Sequence, residues 1–206
     1  MPFNFSFWKS SLSVYGSALI GGSTTGAWLT TPGSTDWAVG TGDFTIEWFH
    51  YQTNNGNENY IFNIGSNTIS GSVASGGNRM NVYLGGTRVV NTTFSHSLSV
   101  WHHLAISRVS GTLNTYFNGS RIDTRANSTN ITDSSSTLFI GTQDSASPFG
   151  DNWPGNITNF RWIKGTGLYS GATLTIPTTN LTAVANTKLL LLFKNSANFL
   201  TDSSGK

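Results

Sequence analysis

Apolar positions recur every second residue in short runs along this chain, and the runs are separated by stretches of Gly, Asn and Ser. A period of two places alternate side chains on opposite faces of a strand. DFTIEWFHY, over 43–51, sets Phe44, Ile46 and Trp48 against Thr45 and Glu47. VWHHLAISRV, over 100–109, sets His102, Leu104 and Ile106 against Trp101, His103 and Ala105. RMNVYLGGTRVV, over 79–90, turns at Gly85–Gly86. TLNTYFNGSRIDT, over 112–124, turns at Asn118–Gly119, a pair suited to the positive φ angles that a two-residue hairpin loop needs. TLFIG (137–141) and TKLLLLF (187–193) read as further strands. The second is apolar on both faces, so it is expected to be central and buried. No long segment follows the 3.6-residue period of a helix, and the pattern predicts an all-β protein.

Polar loops are predicted at 54–59, 66–78, 125–136 and 142–155. After the last of these, Ile157 and Phe160 are three apart, which breaks alternation. Either a β-bulge or a strand that changes face accounts for that. KGTGLYSG, over 164–171, reads as a tight turn. The chain shows no internal repeat and no linker. It divides into an N-terminal arm or edge strand over 1–12 and one domain over 13–206. In the first part Phe3, Phe5 and Phe7 alternate and Trp8 follows. Two readings stay open: an ordinary edge strand, or an arm that docks on a partner chain or a sister subunit, since an exposed edge needs cover.

Composition narrows the classes. Charged residues make up 10% of the 206 residues, with a net charge of +2, so the pI near 9.0 reflects scarce acids and not a basic patch. No Lys/Arg cluster offers the footprint of nucleic-acid binding. No stretch approaches the roughly 18 apolar residues of a membrane helix. The start, MPFNFSFWKSSLSV, has no basic segment followed by an apolar one, so no export signal is expected. There are no cysteines, which removes disulfides and thiolate metal sites.

GTGDFTIEWF, WHHLAISRVSGTLNTYFNG, LFIGTQDSASPFGDNWPGNITNFRWIKGTGLYS and NTKLLLLF follow one another in that order. Over about residues 13–205 this order resembles the concanavalin A-like, laminin G-like or pentraxin-like jelly-roll domains, especially those common in viruses of marine bacteria and algae. The resemblance implies two antiparallel sheets packed face to face as a jelly-roll sandwich. It places Trp48, Trp101, His103, Asn118, Gly119, Phe160 and Arg161 at family positions that are mostly architectural. Family members often continue past the DSSG found here at 202–205, whereas this sequence stops at Lys206.

Candidate chemistry is sparse. Glycoside hydrolysis needs two carboxyl groups about 5–10 Å apart. The two Glu are Glu47 and Glu58. Asp43 and Glu47 share a face but stand about 13 Å apart along a strand, and Glu47 reads as an outward or edge residue. His50, His96, His102 and His103 show no zinc spacing, and neither a GxSxG elbow nor a GxGxxG loop occurs. The resemblance implies calcium as the family's usual ion. The best oxygen donors are Asp144, Asp151 and Asn152, with Glu58 a second candidate, against a plain reading as turn residues. Trp153, beside Asp151, Asn152 and Asp144, is the candidate sugar platform, and Trp28 and Trp37 lie in other loop-like stretches. The alternative for Trp153 is packing over a sheet edge or against a neighboring subunit.

Three functions follow as expectations. The first is a non-enzymatic virion protein, a jelly-roll module on a phage particle as capsid decoration or tail adhesin. It would be assembled in the host cytoplasm, anchored by Phe3, Phe5, Phe7 and Trp8 to other virion proteins or sister subunits, and able to bind host-surface glycans. The second is a free-standing carbohydrate-binding lectin, with calcium as its optional aid. The third is an enzyme, against which the missing carboxylate pair argues.

Overall fold

A computed structural model describes residues 16–20, 27–55, 58–74, 78–144, 151–194 and 200–205. The arm residues Phe3, Phe5, Phe7 and Trp8 lie outside them. Thirteen strands run in chain order: β1 (Ala18–Ile20), β2 (Leu29–Thr31), β3 (Phe44–Gln52), β4 (Glu58–Ile64), β5 (Ile69–Ala74), β6 (Arg79–Leu84), β7 (Thr87–Thr93), β8 (Trp101–Val109), β9 (Thr112–Phe117), β10 (Ser120–Ala126), β11 (Leu138–Ile140), β12 (Gly155–Lys164) and β13 (Thr187–Leu191). They form two antiparallel sheets. One has the order β1-β12-β3-β8-β9-β10, with β13 also on β12; the other has the order β2-β11-β4-β5-β6-β7.

Alternation explains the sandwich. Phe44, Ile46, Trp48, Leu104 and Ile106 face inward from the seven-stranded sheet, and Phe62, Ile64, Ile69, Val73, Val82 and Leu84 face inward from the other. Aromatic rings join the two layers. Trp48 meets Phe62 edge-on at 5.7 Å, Phe62 meets Trp162 at 6.0 Å, and Trp162 meets Trp37 at 5.4 Å. Both predicted hairpins form, with positive φ at Gly85, Gly86, Asn118 and Gly119.

The break between Ile157 and Phe160 is a bulge. Pairing of β12 with β3 shifts between Thr158 and Arg161, and Asn159 takes φ +51°. Its buried side chain accepts the backbone N–H of Leu181 at 2.7 Å. Residue 181 belongs to a strap, residues 165–186, that runs across the outer face of the seven-stranded sheet. Gly171 accepts from the Tyr116 hydroxyl at 2.8 Å, Ala172 from the Arg121 backbone N–H at 3.0 Å, and Thr182 from Arg161 Nη1 at 2.7 Å. The stretch read as a tight turn is therefore the start of this strap.

Two further expectations are corrected. Residues 66–78, read as a loop, contain β5. Its Ser-Gly-Ser center hid the alternation: Ile69 and Val73 point inward, and Gly71 fits under the Phe62 ring, where a Cβ would come within 2.8 Å of Cε1. TKLLLLF is buried but not central. Among the described strands β13 pairs with β12 alone, and the strap covers its outward face, where Leu181 packs with Leu190 and Leu192.

Candidate functional site

The two outer faces differ in kind. On the seven-stranded sheet, Glu47 is fully buried beneath the strap. It pairs with Arg161, whose Nε donates to Oε1 at 2.9 Å and whose Nη2 donates to the same oxygen. His103 Nε2 donates to Oε2 at 3.2 Å and the Tyr169 hydroxyl to the same oxygen at 3.0 Å. Burial alone would raise the Glu47 carboxyl, but His103 and Arg161 outweigh it and hold it below the ordinary range. Glu47 faces outward from its sheet but is not at an edge: β3 lies between β12 and β8, and the strap closes over the carboxylate. Asp43, its neighbor on that face, accepts the Ser110 backbone N–H at 2.8 Å.

On the six-stranded sheet the outer face is polar, and among the described residues no comparable strap crosses it. Register sets one row across all six strands: Thr30, Phe139, Asn63, Ser70, Tyr83 and Arg88. A second row runs Tyr60, Ser72, Asn81 and Asn91. Glu58 is the hub. Its Oε1 accepts from the Ser72 hydroxyl at 2.5 Å, from Asn81 Nδ2 at 2.8 Å and from the Tyr83 hydroxyl at 3.4 Å. Burial and the Glu58 charge push the Tyr60 and Tyr83 hydroxyls up, so both remain donors at any ordinary pH. Aromatic faces, amides, hydroxyls and a carboxylate on one surface are the groups that a polyhydroxylated ligand engages. Sequence reading picked out only Glu58 here. The overlooked signal was the alternation of Ser70 and Ser72 with Ile69 and Val73.

Of the 142–155 stretch, Asp151 and Asn152 lie at the margin of this face. Asp151 C=O accepts the Tyr60 N–H at 3.0 Å, and Asn152 C=O accepts Asn59 Nδ2 at 2.8 Å, which fixes these two residues to the start of β4. Burial, then Glu58 and then Asp144, raise the Asp151 carboxyl, so these acids share one neighborhood. A calcium ion takes six to eight oxygens, and among the described residues no three His, Asp or Glu side chains are gathered to hold a metal ion. Oε1 of Glu58 is already taken by three donors.

Trp153 is corrected as a sugar platform. Its side chain is fully buried, its backbone N–H donates to Gly141 C=O at 2.9 Å, and its ring stands edge-on against His50 at 4.7 Å. Neither face of the ring is open, because the chain turns inward here to seal the end of the sandwich. Trp37 is likewise in the core, and Trp28 is half-buried beside a cleft of about 590 Å³ with Pro32, Leu189 and Leu200.

Three histidines that the sequence separates meet in this region. Trp48 Nε1 donates to His50 Nδ1 at 3.2 Å, and His50 Nε2 lies 3.2 Å from His96 Nε2. His102 Nε2 lies 2.9 Å from Ser97 C=O, and its Nδ1 lies 2.9 Å from Asn118 Nδ2.

A two-sheet sandwich with one face sealed and one polar face left is the build of a binding module, and proteins of this fold are typically that, although some are enzymes. Residues 22–166 match the concanavalin A-like lectin/glucanases superfamily, and the chain belongs to it. No curated protein sequence matches the chain. Among solved structures it is similar to the native heptameric SAP-like pentraxin from Limulus polyphemus, at 16% identity and TM-score 0.56, over 76% of this chain and 79% of that one. The Ruminococcus gnavus IT-sialidase CBM40 bound to α2,3-sialyllactose is similar at 11% identity and TM-score 0.56, over 75% and 92%. So is the enzymatically active domain of bacteriophage CBA120 tailspike protein 2, at 18% identity and TM-score 0.51, over 71% of this chain and 25% of that one.

Proposed function

We propose that this chain is a non-enzymatic, glycan-binding module carried on a bacteriophage particle, as capsid decoration or tail adhesin. The carrying observation is the unequal treatment of the two outer faces. The strap buries one, and the other keeps rows of amide, hydroxyl and aromatic side chains around Glu58. Glu47 is locked between Arg161 and His103, which takes it out of acid–base chemistry. The particle setting is supported by the order of motifs shared with jelly rolls of marine viruses and by a surface poor in charge. That the fold also occurs in a phage tailspike agrees with it. Phe3, Phe5, Phe7 and Trp8 are the proposed anchor to virion proteins or to sister subunits.

The test has two arms. Full-length chain on a glycan array should bind a defined subset of glycans without cleaving them, and antibody to the chain should label intact particles. An array without binding removes the glycan role, cleavage removes the non-enzymatic one, and unlabeled particles remove the virion setting.

A further inference from the structure

A groove of about 510 Å³ opens on the outer face of the six-stranded sheet. The β4–β5 turn forms one wall and residues 135–137 the other. Asn63 lines it and is 1% exposed. Its Nδ2 donates to Gly65 C=O at 2.7 Å and to Gln143 C=O at 2.6 Å. Both partners are carbonyl oxygens, so the orientation of the amide is fixed and Oδ1 is the atom left without a partner. A buried acceptor in that state is costly until a donor reaches it. On the same face, directly across the strand pair, stands the half-buried ring of Phe139.

The walls are built, not loose. Asp133 Oδ1 accepts the backbone N–H groups of Ser135 and Ser136, each at 3.0 Å. Gly65 has φ +57°, and a Cβ there would come within 2.9 Å of both Asp133 Oδ2 and Thr68 Oγ1. Ser66, which is exposed, Ser136 and Asp144 also line it.

We infer, building on the glycan-binding reading above, that this groove receives the acetamido group of a neutral N-acetylhexosamine. An acetamido group carries one N–H donor, one carbonyl acceptor and a methyl. The N–H answers Asn63 Oδ1, the methyl lies on Phe139, and the carbonyl accepts from a wall hydroxyl. A plain hexose supplies a donor but no methyl for the ring. An acidic sugar meets Asp144, with Asp151 and Glu58 in the same neighborhood.

The test is an NMR titration of the full-length chain with N-acetylglucosamine, N-acetylgalactosamine, glucose, galactose and α2,3-sialyllactose. The N-acetylhexosamines should bind about ten-fold more tightly than their parent hexoses, the ratio set by the methyl buried on Phe139 together with the hydrogen bond to the acetamido carbonyl. That preference should vanish in Phe139→Ala and in Ser66→Trp, which obstructs the groove from an exposed rim. It should persist in Val184→Ala, an exposed position on the strap over the opposite sheet. Equal binding of hexose and N-acetylhexosamine, tighter binding of the acidic sugar, or a preference that survives Ser66→Trp would overturn the assignment while leaving the glycan-binding reading intact. No binding of any sugar by a folded chain would overturn both.

Discussion

His50 and His96 meet nitrogen to nitrogen, their Nε2 atoms 3.2 Å apart. An indole N–H only donates, so His50 Nδ1 accepts from Trp48 and the neutral His50 ring carries its proton on Nε2. That proton is donated to His96 Nε2, which leaves the His96 proton on Nδ1. Both rings are thereby held neutral by their partners. Burial, then the neighboring histidines, lower the His50 nitrogen well below its ordinary range and bring His96 down to about 4. Burial also lowers His102, against the pull of Ser97 and Asn118.

Acid should therefore destabilize the fold before its carboxylates titrate. Between pH 6.5 and about 4 the unfolded chain binds protons at these histidines that the folded chain refuses, so stability is full above 6.5 and falls as pH drops toward 4. Urea midpoints measured across that window should decline steadily. In His96→Asn the decline should be shallower; an unchanged slope would remove His96 from the effect.

The buried Glu47–Arg161 pair predicts an asymmetric mutational response. Arg161→Leu strands a buried carboxylate and should cost about 3–5 kcal/mol in chemical denaturation. Adding Glu47→Leu removes the stranded charge and should recover part of that loss. A double variant no more stable than the single one would show that the network acts through Tyr169 and His103 alone.

Asn159 couples the bulge to the strap. Asn159→Ala places a side chain that disfavors the left-handed region at φ +51° and removes the acceptor for Leu181, a combined loss of about 2–3 kcal/mol. Asn159→Gly keeps the backbone and loses only the bond, about 1 kcal/mol. Amide exchange at Leu181 should rise in both.

Trp153→Ala should cost about 3–5 kcal/mol, the value for emptying a core site of this size. Any loss of glycan binding should track unfolding. Selective loss of binding at full stability would restore the surface role that its burial denies.

Much of the fold was legible because alternation survives wherever one face is apolar. DFTIEWFHY and the two hairpins carry that signal and the turn residues that end them. β5 did not, since a glycine under Phe62 replaces an apolar side chain at its center. The strap was hard to read because its bonds to Tyr116, Arg121 and Arg161 run through backbone carbonyls of Gly171, Ala172 and Thr182, which no side-chain pattern reports. The burial of Glu47 was hidden too: Tyr169, part of the cover over it, lies more than a hundred residues away. Trp153 misled through its neighbors, for Asp151 and Asn152 are polar yet spend their carbonyls on β4. Asn63 could be found only in space, since its unpaired oxygen depends on where Gly65 and Gln143 bring theirs.

The strap also gives the molecule a front and a back. A sandwich with two similar faces can lie on a surface either way up and still present a working side. Here one side is sealed by residues 165–186, and the hydrogen-bonding rows look out from the other. Under the proposed glycan-binding role, copies fixed to a scaffold would have to be seated strap-down. Orientation, more than number, would then decide how densely they could grip.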